Sequence, residues 1–228
     1  NVCICATHDD YLVSYLQELY DMPFIIRNIP IGAVNTGKWL MTIAKHFGLA
    51  EKAAAIIAKE EADLAAAIAP FREKFAGKTA YVNGGEVRVL ATAAMLESLN
   101  IRVLGIEARH HDGFAQELIE TYPGNQGKTA YSAGQAYEKA NFINALKPDL
   151  YVGHNGQCAW PAKQGVAVYT LFMKPYNYFG YTGVYQFARA VDRVLSNTSL
   201  YQNLKEHTQL PYQPSWYQQD PFSMIVEE

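Results

Sequence analysis

The chain has 228 residues, of which 50% are apolar, and it carries a formal net charge of −3 with a pI near 6.1. This size and composition allow a sizeable core in one or two domains, while the mild acidity and lack of a basic tract argue against nucleic-acid binding. No run in the sequence has membrane length or the pattern of a signal peptide, and the 3 cysteines suit reduced cytoplasmic thiols better than a disulfide framework.

Residues 1–49 alternate between strand and helix patterns, as in a parallel sheet. The β-branched run Asn1–Ala6 predicts a strand, and Met22–Asn28 predicts a second one. A helix is expected after each strand, over Tyr11–Tyr20 and over 35–48. Since the chain begins inside a predicted strand, we expect an incomplete α/β domain here and a protein that continues further toward its N-terminus.

The segment 50–76 predicts one long helix, because it is rich in alanine and charge and contains no glycine. Its apolar stripe consists of Ile57, Leu64, Ile68, Phe71 and Phe75. Pro70 is expected to kink the helix or to begin a second segment. We interpret the helix as a connector between two α/β domains; a long surface helix of a single domain is the alternative.

Residues 77–196 predict a Rossmann-like α/β domain that opens with a strand, a crossover helix and a second strand. The strand Thr79–Val82 leads through the turn 83–85 into an amphipathic helix over Val87–Leu99, and Arg102–Ile106 is the second strand. Ligands of such parallel sheets meet the carboxyl ends of the strands.

The same alternation continues to residue 196. The further elements are a short helix over Gly113–Tyr122, a brief strand at Thr129–Tyr131, a helix over Ser132–Leu146, a strand at Asp149–Gly153, a short helix over Ala159–Gln164, a strand at Val166–Tyr169 and a helix over Gly183–Ser196. The range 197–228 contains several prolines and is expected to be an irregular tail.

Four side chains near predicted strand ends are candidates for chemistry: Cys5, Arg88, His110 and His154. A thiolate at Cys5 can ligate a soft metal or an iron–sulfur cluster, whereas a cysteine on a buried strand is more often a small hydrophobe. His110 can bind metal or relay protons, although a solvated turn is the commoner role of such a histidine. Their convergence at one sheet edge indicates more than any one of them alone.

The turn at Gly84 and Gly85 allows a helix N-terminus to face an anion. It does not match the dinucleotide fingerprint, and the sequence contains no Walker A lysine motif, nucleophile elbow or His-Glu-x-x-His. One non-redox alternative stays open: a two-lobed α/β module that binds a small ligand or a nucleotide sugar.

Several segments, in order and spacing up to Leu195, together resemble component 1 of nitrogenase and its relatives, the α-type chains of the catalytic protein and of the cofactor-maturation scaffold. These segments are Cys5 followed by Tyr11 and a helix, Ile68–Gly85, Leu96–Glu107, the Gly-x-Glu-x-x-His-x-Asp pattern that ends at Asp112, Lys147–Leu150 and Phe179–Asp192. The resemblance implies two Rossmann-like parallel-sheet domains joined by a long helix.

By this resemblance, Cys5 is the thiolate that holds an apical iron of a metallocluster, and Arg88 lies over the cluster pocket. The implied cofactor is an iron–sulfur cluster, or an iron-molybdenum or iron-vanadium type cofactor or its precursor. The stretch Thr170–Phe172 lacks the family's second, histidine ligand, and Asn155 or Gly156 replaces a lysine near the cofactor's organic acid. We therefore expect a scaffold for a cofactor precursor, or a nitrogenase-like reductase of another substrate, and not a standard dinitrogen reductase.

The resemblance also implies partners. A homologous β-type chain would complete a hetero-oligomer, and an ATP-dependent iron–sulfur reductase would supply electrons. The family's N-terminal domain, which shares a second cluster with a partner chain, has no counterpart in this sequence.

Overall fold

The computed structural model describes residues 1–131, 136–171 and 178–219. Its strands are β1 (Thr79–Gly84), β2 (Arg102–Ala108), β3 (Thr129–Tyr131), β4 (Leu150–His154) and β5 (Ala167–Leu171). They form a parallel sheet in the order β3-β2-β1-β4-β5. The predicted parallel-sheet α/β class is confirmed.

Helices surround this sheet on both faces and extend to the chain's amino-terminal segment. They are α1 (Ala6–Tyr20), α2 (Ala33–His46), α3 (Ala50–Lys74), α4 (Glu86–Ser98), α5 (Gln116–Thr121), α6 (Ala136–Leu146), α7 (Ala159–Lys163), α8 (Gly180–Ser196), α9 (Thr198–His207) and α10 (Pro214–Gln218). The start of the predicted helix over Ser132–Leu146 and residues 172–177 lie outside the described residues. Within the described ranges, no helix is both long and apolar enough to span a membrane.

The two strands predicted over Asn1–Ala6 and Met22–Asn28 are wrong. In their place the structure has a single parallel bridge between Val2 and Ile25. Neither segment is among the strands of the described sheet; besides the bridge, the Asn1 amino group donates to the Pro23 carbonyl at 2.9 Å. Helix α1 begins at Ala6, the last residue of the first predicted strand.

The long helix is confirmed as α3, with Pro70 inside one unbroken element. Leu64, Ile68 and Phe75 of the predicted stripe are buried, and α3 packs against α2 and α8. Residues from the amino-terminal segment share the buried core of the sheet. The division into units 1–49, 50–76, 77–196 and 197–228 stays a prediction.

The start of α8 is shaped by two glycines. Gly180 has a φ of +70°, in the left-handed region that favours glycine. A Cβ on Gly183 would lie 2.4 Å from the carbonyl carbon of Tyr178, so a side chain has no room there. The glycines of the sequence Gly-Tyr-Thr-Gly at 180–183 therefore have a backbone and a steric cause in this chain.

The prediction of an irregular tail is wrong at Thr198–His207 and Pro214–Gln218, which form α9 and α10, while 208–213 between them is irregular. Pro214 is the first residue of α10, a position where a proline costs a helix nothing because its missing N–H would be unpaired anyway. Residues 220–228 lie outside the described ranges.

Candidate functional site

The candidate site lies where the strand order of the sheet reverses. The chain proceeds from β1 outward through β2 to β3, then returns to β4 on the other side of β1 and continues to β5. The carboxyl ends of β1 and β4, at Gly84 and His154, border this switch point. In open α/β sheets the crevice beside such a point is where ligands bind.

Cys5 reaches this edge from a helix start and not from the strand end that the sequence predicted. It is the N-cap residue of α1, with φ −133° and ψ 106°. Its backbone N–H donates to Asp9 Oδ2 at 3.3 Å, and the residue is 7% exposed. The thiol sulfur is 3.2 Å from Nδ1 of His8, one turn along the same helix. The buried thiol is thus placed by the first turn of α1.

Arg88 approaches the same sulfur from the sheet side. It lies in the first turn of α4, directly after the Gly84–Gly85 turn, and its Nη2 is 3.9 Å from Cys5 Sγ. The buried phenol of Tyr178 interacts electrostatically with both groups. Burial raises the pKa of Tyr178, the positive charge of Arg88 opposes that rise, and Cys5 adds to it. Cys5 and Arg88, predicted together from the sequence, are neighbours in the structure.

A hydrogen-bond network joins α1 to the two loops of the sheet. The Thr7 hydroxyl donates to Asp112 Oδ2, and the Asp112 backbone N–H donates to the carboxylate of Glu86 in the first turn of α4. The other Asp112 oxygen accepts the N–H of Phe114 at 2.9 Å. Glu86 and Asp112 are both buried, so the network fixes the thiol-bearing helix against the ends of β1 and β2.

The two candidate histidines take more peripheral positions. His110 is exposed, and its Cε1 lies 3.9 Å from where a Cβ on Gly85 would stand. Nδ1 of its neighbour His111 lies 3.3 Å from Glu86 Oε2. His154 is exposed and ends β4 across the switch point. The structure therefore places His110 and His154 at the predicted edge, on its solvent side.

A second polar cluster occupies the opposite face of the sheet at the same edge. Glu107 on β2 is 3% exposed, and its Oε1 is 2.9 Å from the Lys139 ammonium on α6. Burial raises the pKa of Glu107, and the Lys139 charge offsets only part of the rise. Lys139 also donates to Gln157 Oε1 at 3.1 Å, which links α6 to the loop after β4.

The donors at the site suit a cluster that is attached by one thiolate. Among the described residues, no group of three or more His, Cys, Asp and Glu side chains gathers to hold a metal ion. A single thiolate can still ligate one corner of a preformed cluster, because the other metals of a cluster bring their own bridging ligands. Cys5 beside Arg88 fits this arrangement, whereas an isolated mononuclear ion would lack ligands from this part of the chain.

Sequence reasoning missed several of these groups. His8 could have been found from its spacing of three after Cys5, which brings the two side chains together once a helix begins at Ala6. The Thr7–Asp112 bond joins residues 105 positions apart, and the Glu107–Lys139 pair joins a strand to a helix. No local pattern marks either pair.

The fold and the site define a doubly wound α/β protein with a thiol and a guanidinium at its switch point. Comparison with known proteins makes this more specific: the family model described as "Nitrogenase component 1 type Oxidoreductase" matches residues 1–196. The chain belongs to this family.

Two relatives illustrate the range of the family. The chain is 27% identical to the nitrogenase molybdenum-iron protein alpha chain of Klebsiella pneumoniae, over 86% of this chain and 41% of the relative. It is 25% identical to the nitrogenase iron-molybdenum cofactor biosynthesis protein NifE of Rippkaea orientalis, over 86% of this chain and 42% of the relative. The chain thus spans less than half the length of both relatives.

Solved structures agree with the fold. "Nitrogenase Cp1 at pH 5" superposes with a TM-score of 0.67 at 22% identity, over 93% of this chain and 49% of that one. "Nitrogenase Cp1 at pH 6.5" gives a TM-score of 0.70 at 15% identity, over 91% and 46%. At these identities the likeness supports the architecture alone.

Proposed function

We propose that this protein holds an iron–sulfur-type metallocluster, an iron-molybdenum or iron-vanadium type cofactor or its precursor, through the thiolate of Cys5. The observation that carries the proposal is the position of the Cys5 sulfur. It is buried at the N-cap of α1, next to Arg88 and beside the switch point of the sheet.

The charges around the sulfur favour an anionic group. Clusters with thiolate ligands generally carry net negative charge, and the site offers the guanidinium of Arg88. The N-termini of α1 and α4 both begin at this edge, and helix N-termini carry positive partial charge. When bound, the cluster would supply one-electron storage and transfer; Cys5 would hold it, and Arg88 would stabilise its charge.

A scaffold for cluster assembly is the function that these groups support best. One thiolate holds a cluster at one end, and the sequence offers no histidine at Thr170–Phe172 for the other end. A cluster attached at one end can be released to an acceptor protein more easily than one held at both. The relative NifE, named as a cofactor biosynthesis protein, is consistent with this role.

A nitrogenase-like reductase of a substrate other than dinitrogen is the second candidate. It is favoured by the match to a family described as oxidoreductases and by the likeness to a molybdenum-iron protein alpha chain. Either role would use a homologous β-type chain as partner, and the reductase would also take electrons from an ATP-dependent iron–sulfur protein. The buried, free cysteines suit the reducing cytoplasm that we propose as the location.

The test is anaerobic reconstitution of the full-length protein with iron and sulfide, followed by iron analysis and EPR. We expect wild type to bind a cluster and Cys5→Ser to lose it. Cys158→Ser is the matched control, because Cys158 is equally buried but packs with Tyr81 and Tyr151, in the smaller of two core clusters. Equal iron in wild type and Cys5→Ser, or no iron in either, would contradict the proposal.

The same preparations separate the remaining roles. Transfer of the cluster to an apo acceptor without turnover supports the scaffold, whereas ATP-dependent substrate reduction supports the reductase. Saturable nucleotide-sugar binding to metal-free protein, together with no iron binding, would instead support the non-redox alternative.

A further inference from the structure

The Cys5 sulfur has a second nitrogen neighbour that the proposed function does not use. His8 follows Cys5 by three residues in α1, and its Nδ1 is 3.2 Å from the sulfur. Cys5 as a residue is 7% exposed, while His8 is exposed. The imidazole therefore contacts the sulfur from within α1, whereas Arg88 contacts it from α4 at 3.9 Å.

We propose that His8 is a positioning residue that donates an Nδ1–H hydrogen bond to the cluster-bound thiolate of Cys5. This inference rests on the proposed function, since it concerns the state in which Cys5 is a ligand. In the neutral tautomer with hydrogen on Nδ1, the ring needs no change of charge to donate. Hydrogen bonds to ligand sulfurs stabilise the reduced cluster and hold the ligand in its orientation.

The helix geometry supports a dedicated contact. Cys5 is the N-cap residue, and the backbone N–H groups of His8 and Asp9 both donate to the Cys5 carbonyl, at 3.2 and 3.1 Å. Those bonds fix the first turn, and residues three apart on a turn face the same side. The His8 ring therefore reaches the sulfur without any rearrangement of the backbone.

The role of Nδ1 can be separated from the other properties of the ring by substitution. The side-chain amide nitrogen of asparagine lies near the position of histidine Nδ1, and that of glutamine lies near Nε2. His8→Asn should therefore keep the hydrogen bond, and His8→Gln should lose it. Asparagine is also a poor ligand for iron, so its success would distinguish hydrogen bonding from direct ligation by His8.

The experiment uses the anaerobically reconstituted full-length protein and two readouts other than turnover: the rate of iron release to a strong chelator, and the midpoint potential by potentiometric EPR. We expect His8→Ala and His8→Gln to release iron about 10- to 100-fold faster than wild type, as for other partners of metal ligands. Their midpoint potentials should be more negative. His8→Asn should stay close to wild type in both readouts.

His207→Ala is the matched control, because its Nδ1 makes a comparable contact within one helix, 3.0 Å from the Asn203 carbonyl, on α9. Wild-type behaviour of His8→Ala in a protein that binds iron through Cys5 would overturn this inference and leave the proposed function intact. Equal loss in His8→Asn and His8→Ala would overturn the hydrogen-bond role. A wild-type protein that binds no iron would overturn both the proposed function and the role of His8.

Discussion

Replacing Thr7 by valine removes the hydroxyl that joins α1 to the loop after β2 and preserves the shape of the side chain. The hydroxyl donates to Asp112 Oδ2, and Asp112 is 7% exposed. Thr7→Val therefore leaves a buried carboxylate oxygen without its partner. The other oxygen keeps the Phe114 N–H at 2.9 Å.

The expected cost follows from this partial loss. A buried polar group that loses its partner costs about 1–3 kcal/mol. The retained bond to Phe114 places Thr7→Val in the lower part of that range, about 1–2 kcal/mol. If the loss is confined to the first turn of α1, its opening equilibrium should rise by roughly 5- to 30-fold.

Hydrogen exchange followed by mass spectrometry measures this directly on peptides that cover α1. Thr7→Val should exchange faster there than wild type, while peptides from β1 and α4 should keep their protection. Thr7→Ser is the control, because it retains the hydroxyl and should exchange like wild type. Unchanged exchange of α1 in Thr7→Val would show that the bond to Asp112 does not hold the thiol-bearing helix in place.

Two further substitutions test contacts that stabilise the fold, one at Asp149 before β4 and one at Gly183 in α8. Burial raises the pKa of Asp149, but hydrogen bonds from Lys78 and Thr79 outweigh it and leave that pKa below its ordinary value. This stabilisation is present at neutral pH and is lost as the pH falls through the lowered pKa. Because Asp149 is a third exposed, Asp149→Asn should lower the free energy of unfolding in urea by about 1 kcal/mol at neutral pH. The difference from wild type should disappear in acid, where Asp149 is protonated. A difference that does not change with pH would contradict the reasoning. Gly183→Ala should lower the free energy of unfolding by at least about 1–3 kcal/mol, because its Cβ would overlap the backbone of Tyr178. In the control Gly124→Ala the new Cβ has no atom within 4 Å, so the free energy of unfolding should change by about 0.5 kcal/mol or less. Equal melting temperatures of the two variants would refute this expectation.

The central part of the fold was predictable because its signals are local. The turn at Gly84 and the apolar periodicity after it define β1, α4 and β2, and the uninterrupted alanine-rich pattern defines α3. The amino-terminal strands failed because β-branched residues predict extended backbone but not a pairing partner. The helices of the tail were missed because prolines were taken as breakers, although Pro214 begins α10.

The candidate site was predictable to a smaller extent. The convergence of strand ends brought Cys5 and Arg88 together in the prediction, and the structure has them in contact at 3.9 Å. The contact was predicted correctly although the first strand was not, because the N-cap of α1 lies where the end of that strand was expected. The partners that fix the site, Thr7 with Asp112, depend on tertiary packing and leave no local pattern.

The N-cap position of Cys5 has a consequence for selection on this residue. Serine, threonine, aspartate and asparagine are the favoured N-caps, and the Cys5 side chain makes no capping hydrogen bond. A serine there could cap the helix and add up to about 1 kcal/mol of stability. If Cys5 holds a cluster as we propose, its thiol at this helix start would trade stability against chemistry. For the same reason, a Cys5→Ser protein that lacks iron should remain folded, and its loss of the cluster can be attributed to the missing sulfur.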